Sequence, residues 1–240
     1  MSDHTTPLQG IDAVLVDLDG TMVDTMGDFV EALGRMLDEL QLPDIEPEQI
    51  ALLVGKGSEH LLRAVLRHTL EQAGQSHDPA AVEALYPRAW ERYQHHYLQV
   101  NGRHASVYPG VAQGLTALQA AGLPLACLTN KPVSFARPLL QAKQLEGFFG
   151  HVFGGDSFER KKPDPLPLLK ACEILGTQPA RTLMVGDSSN DATAARAAGC
   201  PVALVTYGYN HGQPVREVDA DSFVSSLHEL LPVWVCSVRG

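Results

Sequence analysis

Apolar residues recur along this chain with two different periods, and the places where one gives way to the other divide it. Ala13 to Val16 is a short unbroken apolar run rich in β-branched residues, which predicts a strand buried on both faces. After Thr21 the spacing changes: Phe29, Val30, Leu33, Met36, Leu37 and Leu40 recur at three and four, predicting a helix from about Asp24 to Leu40 that Pro43 ends. Leu61, Leu62, Val65, Leu66, Thr69 and Leu70 repeat that period, with Ser58 placed as the N-cap, and a third helix is expected from near Pro79 to Leu98. Nothing in between alternates as a strand would, so residues 24–105 predict a small all-helical unit.

From Pro109 onward short apolar runs return and alternate with helical stretches. Leu125 to Leu128, Val152 to Phe153, Leu183 to Val185 and Ala203 to Val205 are the expected strands. Val111 to Ala121, Phe135 to Gln144, Pro165 to Leu175 and Asp191 to Ala198 are the expected helices between them. Such alternation predicts an α/β fold around a right-handed, Rossmann-like parallel sheet. Its first strand is separated from the next by far more chain than a βαβ crossover uses. The helical unit therefore reads as an insertion folded over the carboxyl edge of the sheet, giving an α/β core of residues 1–23 and 106–240 and a helical cap of residues 24–105.

Composition narrows the picture. The 240 residues suffice for a full core with one sizeable insertion. A formal charge of −10 disfavours nucleic-acid or anionic-membrane partners. Met1 to Gly10 lacks the pattern of a signal peptide and no apolar run approaches a membrane span, so the expectation is a soluble cytoplasmic protein, monomer or homodimer. Cys127, Cys172, Cys200 and Cys236 lie far apart and read as buried free thiols, and His95 and His96 as surface residues.

The candidate chemistry sits where strands end. Asp17 and Asp19 follow the first strand in alternate positions, side by side if the extended geometry persists, and Gly20 lets the chain turn. Close carboxylates imply a bound cation, a split in pKa, or both. A calcium loop starting at Asp17 would need Gly and Glu where Met22 and Asp28 stand. A solvated turn remains the plain alternative. Three further clusters lie at or near later strand ends: Thr129-Asn130-Lys131, Lys162 ahead of Pro163, and Gly186-Asp187 followed by Asp191. Each alone is ordinary turn or cap chemistry; together they fall where open α/β sheets bind ligands.

In this order, Asp17-x-Asp19-Gly20-Thr21, Thr129-Asn130, Lys162-Pro163 and Gly186-Asp187-x-x-x-Asp191 resemble the four motifs of the haloacid dehalogenase superfamily of phosphotransferases, over about Ile11 to Pro232. Within it, Gly55-Lys56-Gly57, Thr129 to Pro132, Lys161 to Pro163 and Tyr207 to Asn210 are most similar to the bacterial phosphoglycolate phosphatase family. Met22 stands where relatives usually carry Leu, and the apolar Val233 to Cys236 matches nothing in the pattern.

The resemblance implies Mg²⁺-dependent phosphomonoester hydrolysis through an aspartyl phosphate. Asp17 would be the nucleophile and Asp19 the acid and base. Asp17, the Asp19 main-chain carbonyl and Asp187 would hold the metal, with Asp191 orienting Lys162 or a metal-bound water. Thr129, Asn130 and Lys162 would bind the phosphoryl group, and Gly55, Lys56 and Gly57 the rest of a small phosphate ester such as 2-phosphoglycolate. Lys56 reads equally as a solvated lysine. A phosphatase for another small metabolite, a phosphomutase of the same fold, and a catalytically silent binding protein remain alternatives, the last disfavoured because none of Asp17, Asp19, Lys162 or Asp187 is lost.

Overall fold

The computed structural model describes residues 10–230; the apolar stretch Val233 to Cys236 and the polar segment before Gly10 lie outside the described residues. Strand β1 (Ala13–Val16) is solvent-free along its whole length, as an unbroken apolar run requires when helices cover both faces of a sheet. Beside it lie β4 (Leu125–Leu128) and β6 (Thr182–Gly186), and β5 (His151–Phe153), β7 (Val202–Val205) and β8 (Ser222–Val224) complete a parallel sheet in the order β5-β4-β1-β6-β7-β8. In chain order that is 3-2-1-4-5-6, so the direction of winding reverses between β1 and β6. Val16 stands opposite both Cys127 and Val185, which brings the ends of β1, β4 and β6 to one level.

Alternate residues of β1 feed two apolar layers. Val14 and Val16 pack with Leu115 and Leu118 of α5 (Val111–Ala120) and Leu139 and Leu140 of α6 (Val133–Ala142). Leu15 packs on the other side with Leu168 and Ala171 of α7 (Leu166–Leu175) and Ala195 of α8 (Ser189–Ala198). The result is the three-layered α/β fold the alternation predicts.

Between the antiparallel pair β2 (Val23–Asp24) and β3 (Ser106–Val107) the chain makes α1 (Met26–Leu40), α2 (Pro47–Leu53), α3 (Ser58–Gln72) and α4 (Pro79–Val100). Their apolar faces meet in a separate cluster that includes Leu33, Met36, Leu37, Leu62, Leu66 and Tyr93, and that also takes in Phe135 of α6. Buried Asp28 accepts hydrogen bonds from Gly102 N at 2.6 Å and His104 N at 2.8 Å, tying the start of α1 to the chain that returns toward β3.

Several expectations shift. Ser58 is the first residue of α3 rather than its cap; the cap is Gly57, at φ 89°, with no side-chain hydrogen bond. α1 stops at Leu40 because Gln41 takes the left-handed conformation, ahead of Pro43. α6 starts directly after Pro132, and α8 at Ser189, two residues before Asp191, because Ser188 and Asp191 form a capping box. His96 is buried, with Nε2 2.9 Å from Glu39 Oε1, and not a surface residue. Cys127, Cys172 and Cys200 are buried free thiols, while Cys236 lies outside the described residues. No described helix is long and apolar enough to cross a membrane.

Candidate active site

Asp17 is the first residue beyond β1, held by its N–H to Val185 O at 2.9 Å, and Thr129 is the first beyond β4, held by its N–H to Phe153 O at 3.0 Å. Asp187 follows β6 directly. The crevice at which the sheet reverses is thus walled by Asp17 and Asp187. Asp191, in the first turn of α8, uses Oδ2 to accept from Asp187 N at 3.3 Å, Ser188 N at 3.2 Å and Ser188 Oγ at 2.9 Å. Its Oδ1 is left for Lys162 Nζ at 2.7 Å.

Lys162 reaches this point from the loop before α7. Its ammonium also donates to Leu128 O at 2.7 Å and stands 3.1 Å from Asp17 Oδ1, with its side chain 2% exposed. Burial works against the charge, but the carboxylates of Asp17 and Asp191 outweigh it and raise the Lys162 pKa. Asp17 is pushed up to about 7 by burial first, helped by Asp191 and Asp19 and opposed by Lys162. Burial, then Asp191 and Asp17, raise Asp187 well above the usual carboxylate range.

Asp17, Asp187 and Asp191 each offer an oxygen within 4.8 Å of the others. A hard divalent cation fits this donor set: the ligands are all carboxylates, no His or Cys stands among them, burial disfavours the charge on Asp17 and Asp187, and Asp17 Oδ1 is buried with no partner beyond the 3.1 Å ion pair to Lys162. The chain closes tightly around it. A Cβ on Gly20, which sits at φ 80°, would run into the Asp187 carboxylate, and one on Gly186 into that of Asp191. The carboxylate of Asp19 stands apart from this cluster, a departure from simple pairing with Asp17: it is drawn off by Lys131 Nζ, at 2.8 Å from Oδ1 and 3.1 Å from Oδ2, and by Thr25 Oγ1 at 2.8 Å. Asp191 takes its place in the carboxylate set.

A cavity over this edge is lined by Asp17, Asp19, Thr129 and Asn130 from the sheet side and by Gly55 and Gly57 from the helical side. Asn130 Nδ2 donates to Lys162 O at 2.8 Å and to Gly55 O at 3.0 Å, and Asn190 Nδ2 reaches the same Gly55 carbonyl at 3.2 Å. Lys56 is not among the lining residues. Gly55 at φ 103° and Gly57 at φ 89° turn the backbone of this segment to the cavity, and the Lys56 side chain is exposed near His60 and His211.

Two contributors escaped selection from sequence. Lys131 was visible as part of Thr129-Asn130-Lys131, but its partner Asp19 is more than a hundred residues away and nothing in the local pattern names it. The segment Tyr207 to His211 turns out to brace the site. Tyr209 N donates to Asp187 Oδ2 at 2.5 Å, its hydroxyl accepts from Thr25 N at 3.1 Å and Met26 N at 3.2 Å, and Tyr207 Oη donates to Thr21 O at 2.8 Å.

Sheet order, strand-end carboxylates and buried lysine define a haloacid dehalogenase-like hydrolase, and the chain belongs to that family, whose model matches residues 14–205. More particularly, it is similar to phosphoglycolate phosphatase of Thiobacillus denitrificans, 44% identical over 91% of this chain and 93% of that one, and to phosphoglycolate phosphatase of Nitrosospira multiformis, 47% identical over the same shares. Among solved structures, that of a predicted phosphoglycolate phosphatase from Haemophilus somnus 129pt superposes with a TM-score of 0.88 at 29% identity, covering 93% of this chain and 97% of the other.

Proposed function

We propose that this enzyme is a Mg²⁺-dependent phosphatase that hydrolyses 2-phosphoglycolate through a phosphoryl group carried on Asp17. The observation that supports it best is the buried set of Asp17, Asp187 and Asp191 against Lys162 at the reversal of the sheet, in a chain whose relatives over nearly its full length are phosphoglycolate phosphatases.

Phosphate monoester hydrolysis needs up to ~10²¹-fold acceleration, of which general acid–base catalysis supplies ~10² to 10⁴. Charge stabilisation must carry the rest. Magnesium held by Asp17 and Asp187, with Asp191 beside them, would neutralise phosphoryl charge and relieve the repulsion among the carboxylates. The Asp17 carboxylate, with Oδ1 3.1 Å from the Lys162 ammonium, would attack phosphorus in line. Lys162, fixed by Asp191 and the Leu128 carbonyl, and the hydroxyl of Thr129 would hold the equatorial oxygens. Asp19, on the same cavity wall, would give its proton to the departing alkoxide and then take one from the water that cleaves the aspartyl phosphate.

In this reading residues 24–105 act as a cap over a core of residues 1–23 and 106–240. The Gly55 carbonyl, grasped by Asn130 and Asn190, is the contact that closes the cap and excludes water. A phosphate-release panel over small phosphate esters, with Mg²⁺ and with chelator, tests the proposal. Release from 2-phosphoglycolate above all others, abolished by chelation, is expected. Preference for a hexose phosphate, or isomerisation of one without phosphate release, would overturn the substrate, and full activity after exhaustive chelation would overturn the metal.

A further inference from the structure

Lys131 is as deeply placed as Lys162, its side chain 2% exposed, yet the chemistry above gives it no part beyond touching Asp19. Its ammonium lies 4.8 Å from the Phe29 ring centroid and 4.7 Å from that of Tyr97, faces that desolvate a cation while favouring its charge. An ammonium has three N–H donors. Two are spent on Asp19 Oδ1 and Oδ2, and among the described residues no oxygen accepts the third. Of the residues lining the cavity, Lys131 is the one that carries positive charge.

We propose that Lys131 recognises the carboxylate of the leaving group, so that the acid–base residue and the specificity cation of this enzyme are hydrogen-bonded neighbours. The inference rests on the phosphoglycolate reading. In that substrate a single methylene separates the ester oxygen from the carboxylate. Asp19 must come within about 3 Å of the ester oxygen to protonate it, which brings the carboxylate to a similar distance from the ammonium that Asp19 already holds. Lys162 is already engaged by Asp17 and Asp191, so without the Lys131 ammonium the substrate carboxylate would meet Asp19 with no cation beside it on the cavity wall. The cavity lining takes in Gly55 and Gly57 but not the exposed Lys56 between them, which leaves Lys131 as the cation on the cavity wall. The same wall carries Gly57 and Ser58, where α3 opens without a side-chain cap, so a small anion here also faces the favourable end of a helix. An ester lacking the carboxylate leaves the third N–H unpaired in a desolvated place and is rejected for that reason.

The test compares kcat/KM for 2-phosphoglycolate and for ethyl phosphate, which has a methyl group where the carboxylate stands, in wild type, Lys131→Met and Lys131→Arg, each checked for a native melting transition. Wild type should prefer phosphoglycolate by about 10- to 100-fold, the worth of a hydrogen bond to a charged group, and Lys131→Met should bring the two within about 3-fold, chiefly through KM for phosphoglycolate. Lys131→Arg keeps the charge and should retain part of the preference. If Lys131→Met slows both esters equally and leaves the ratio at its wild-type value, Lys131 only positions Asp19 and the proposal is wrong. If wild type itself shows no preference, the phosphoglycolate reading fails first and takes the proposal with it.

Discussion

Replacing Lys162 by Met keeps the volume and removes one charge from the centre of the site. The ammonium donates to Leu128 O and Asp191 Oδ1, both at 2.7 Å, and lies 3.1 Å from Asp17 Oδ1, all with almost no solvent access. Taking one partner from a buried pair costs about 3–5 kcal/mol, a large part of the 5–15 kcal/mol that holds a domain together. Three stranded acceptors place Lys162→Met toward the upper end. At about 2–4 °C per kcal/mol for a chain of this size, the melting temperature should fall by about 6–20 °C. Lys162 holds the Asp17 pKa down, so its loss lets that carboxylate take up a proton more readily, and the deficit should grow as pH rises. Urea denaturation of wild type, Lys162→Met, Asp191→Asn and the double variant, without metal, measures the effect. The double variant should lose less than the sum of the singles by at least about 1 kcal/mol, because Lys162→Met no longer strands a charge on residue 191. A single-variant loss below about 1 kcal/mol, or additivity in the cycle, would refute the view that this ion pair organises the site.

Other predictions concern stability and its linkage to pH. Asp28→Ala frees the amides of Gly102 and His104 and should cost about 2–3 kcal/mol in urea denaturation, with a loss under about 1 kcal/mol meaning that water replaces the carboxylate. In metal-free protein the pKa of Asp17 is raised from 3.8 to about 7 and that of Asp187 is raised as well, both chiefly by burial, so the folded state binds the extra protons. Stability from Asp17 is complete below about pH 4 and is lost as pH climbs toward 7, Asp187 acts in the same direction, and the rise in melting temperature produced by Mg²⁺ should therefore be larger at about pH 8 than at about pH 5. A metal-free melting temperature that is flat over that span, or a larger Mg²⁺ effect at the acid end, would contradict this.

The core and its chemistry were legible because the same short runs encode both. β1, β4 and β6 are buried on both faces, so Ala13 to Val16, Leu125 to Leu128 and Leu183 to Val185 are unbroken apolar stretches, and the polar residues that follow them stand out from the strand interior. Elements that carry no period were not legible: β2 and β3 are two residues each and β8 three, and α2 spans seven residues with Ile50 as its one buried position. Long-range pairing was equally hidden. Nothing near Asp19 indicates that Lys131 and Thr25 will turn its carboxylate from the metal set, and nothing near Asp191 separates its capping bond to Ser188 from its grip on Lys162. For Lys56 the sequence allowed a reaching or a solvated side chain alike; in the fold its neighbours Gly55 and Gly57 line the cavity while the Lys56 side chain is exposed.

The central claim is that Asp17 carries the phosphoryl group, and it is tested most directly by rapid acid quench of Asp19→Asn mixed with [³²P]2-phosphoglycolate and Mg²⁺. Without the base that activates water, hydrolysis of the intermediate is slowed. Label should accumulate on the protein toward one equivalent, map to the peptide bearing Asp17, be released by hydroxylamine, and be absent from the Asp17→Asn, Asp19→Asn double variant. Phosphate release in the presence of active Asp19→Asn enzyme with no label on the protein, or label on any other residue, would contradict the account.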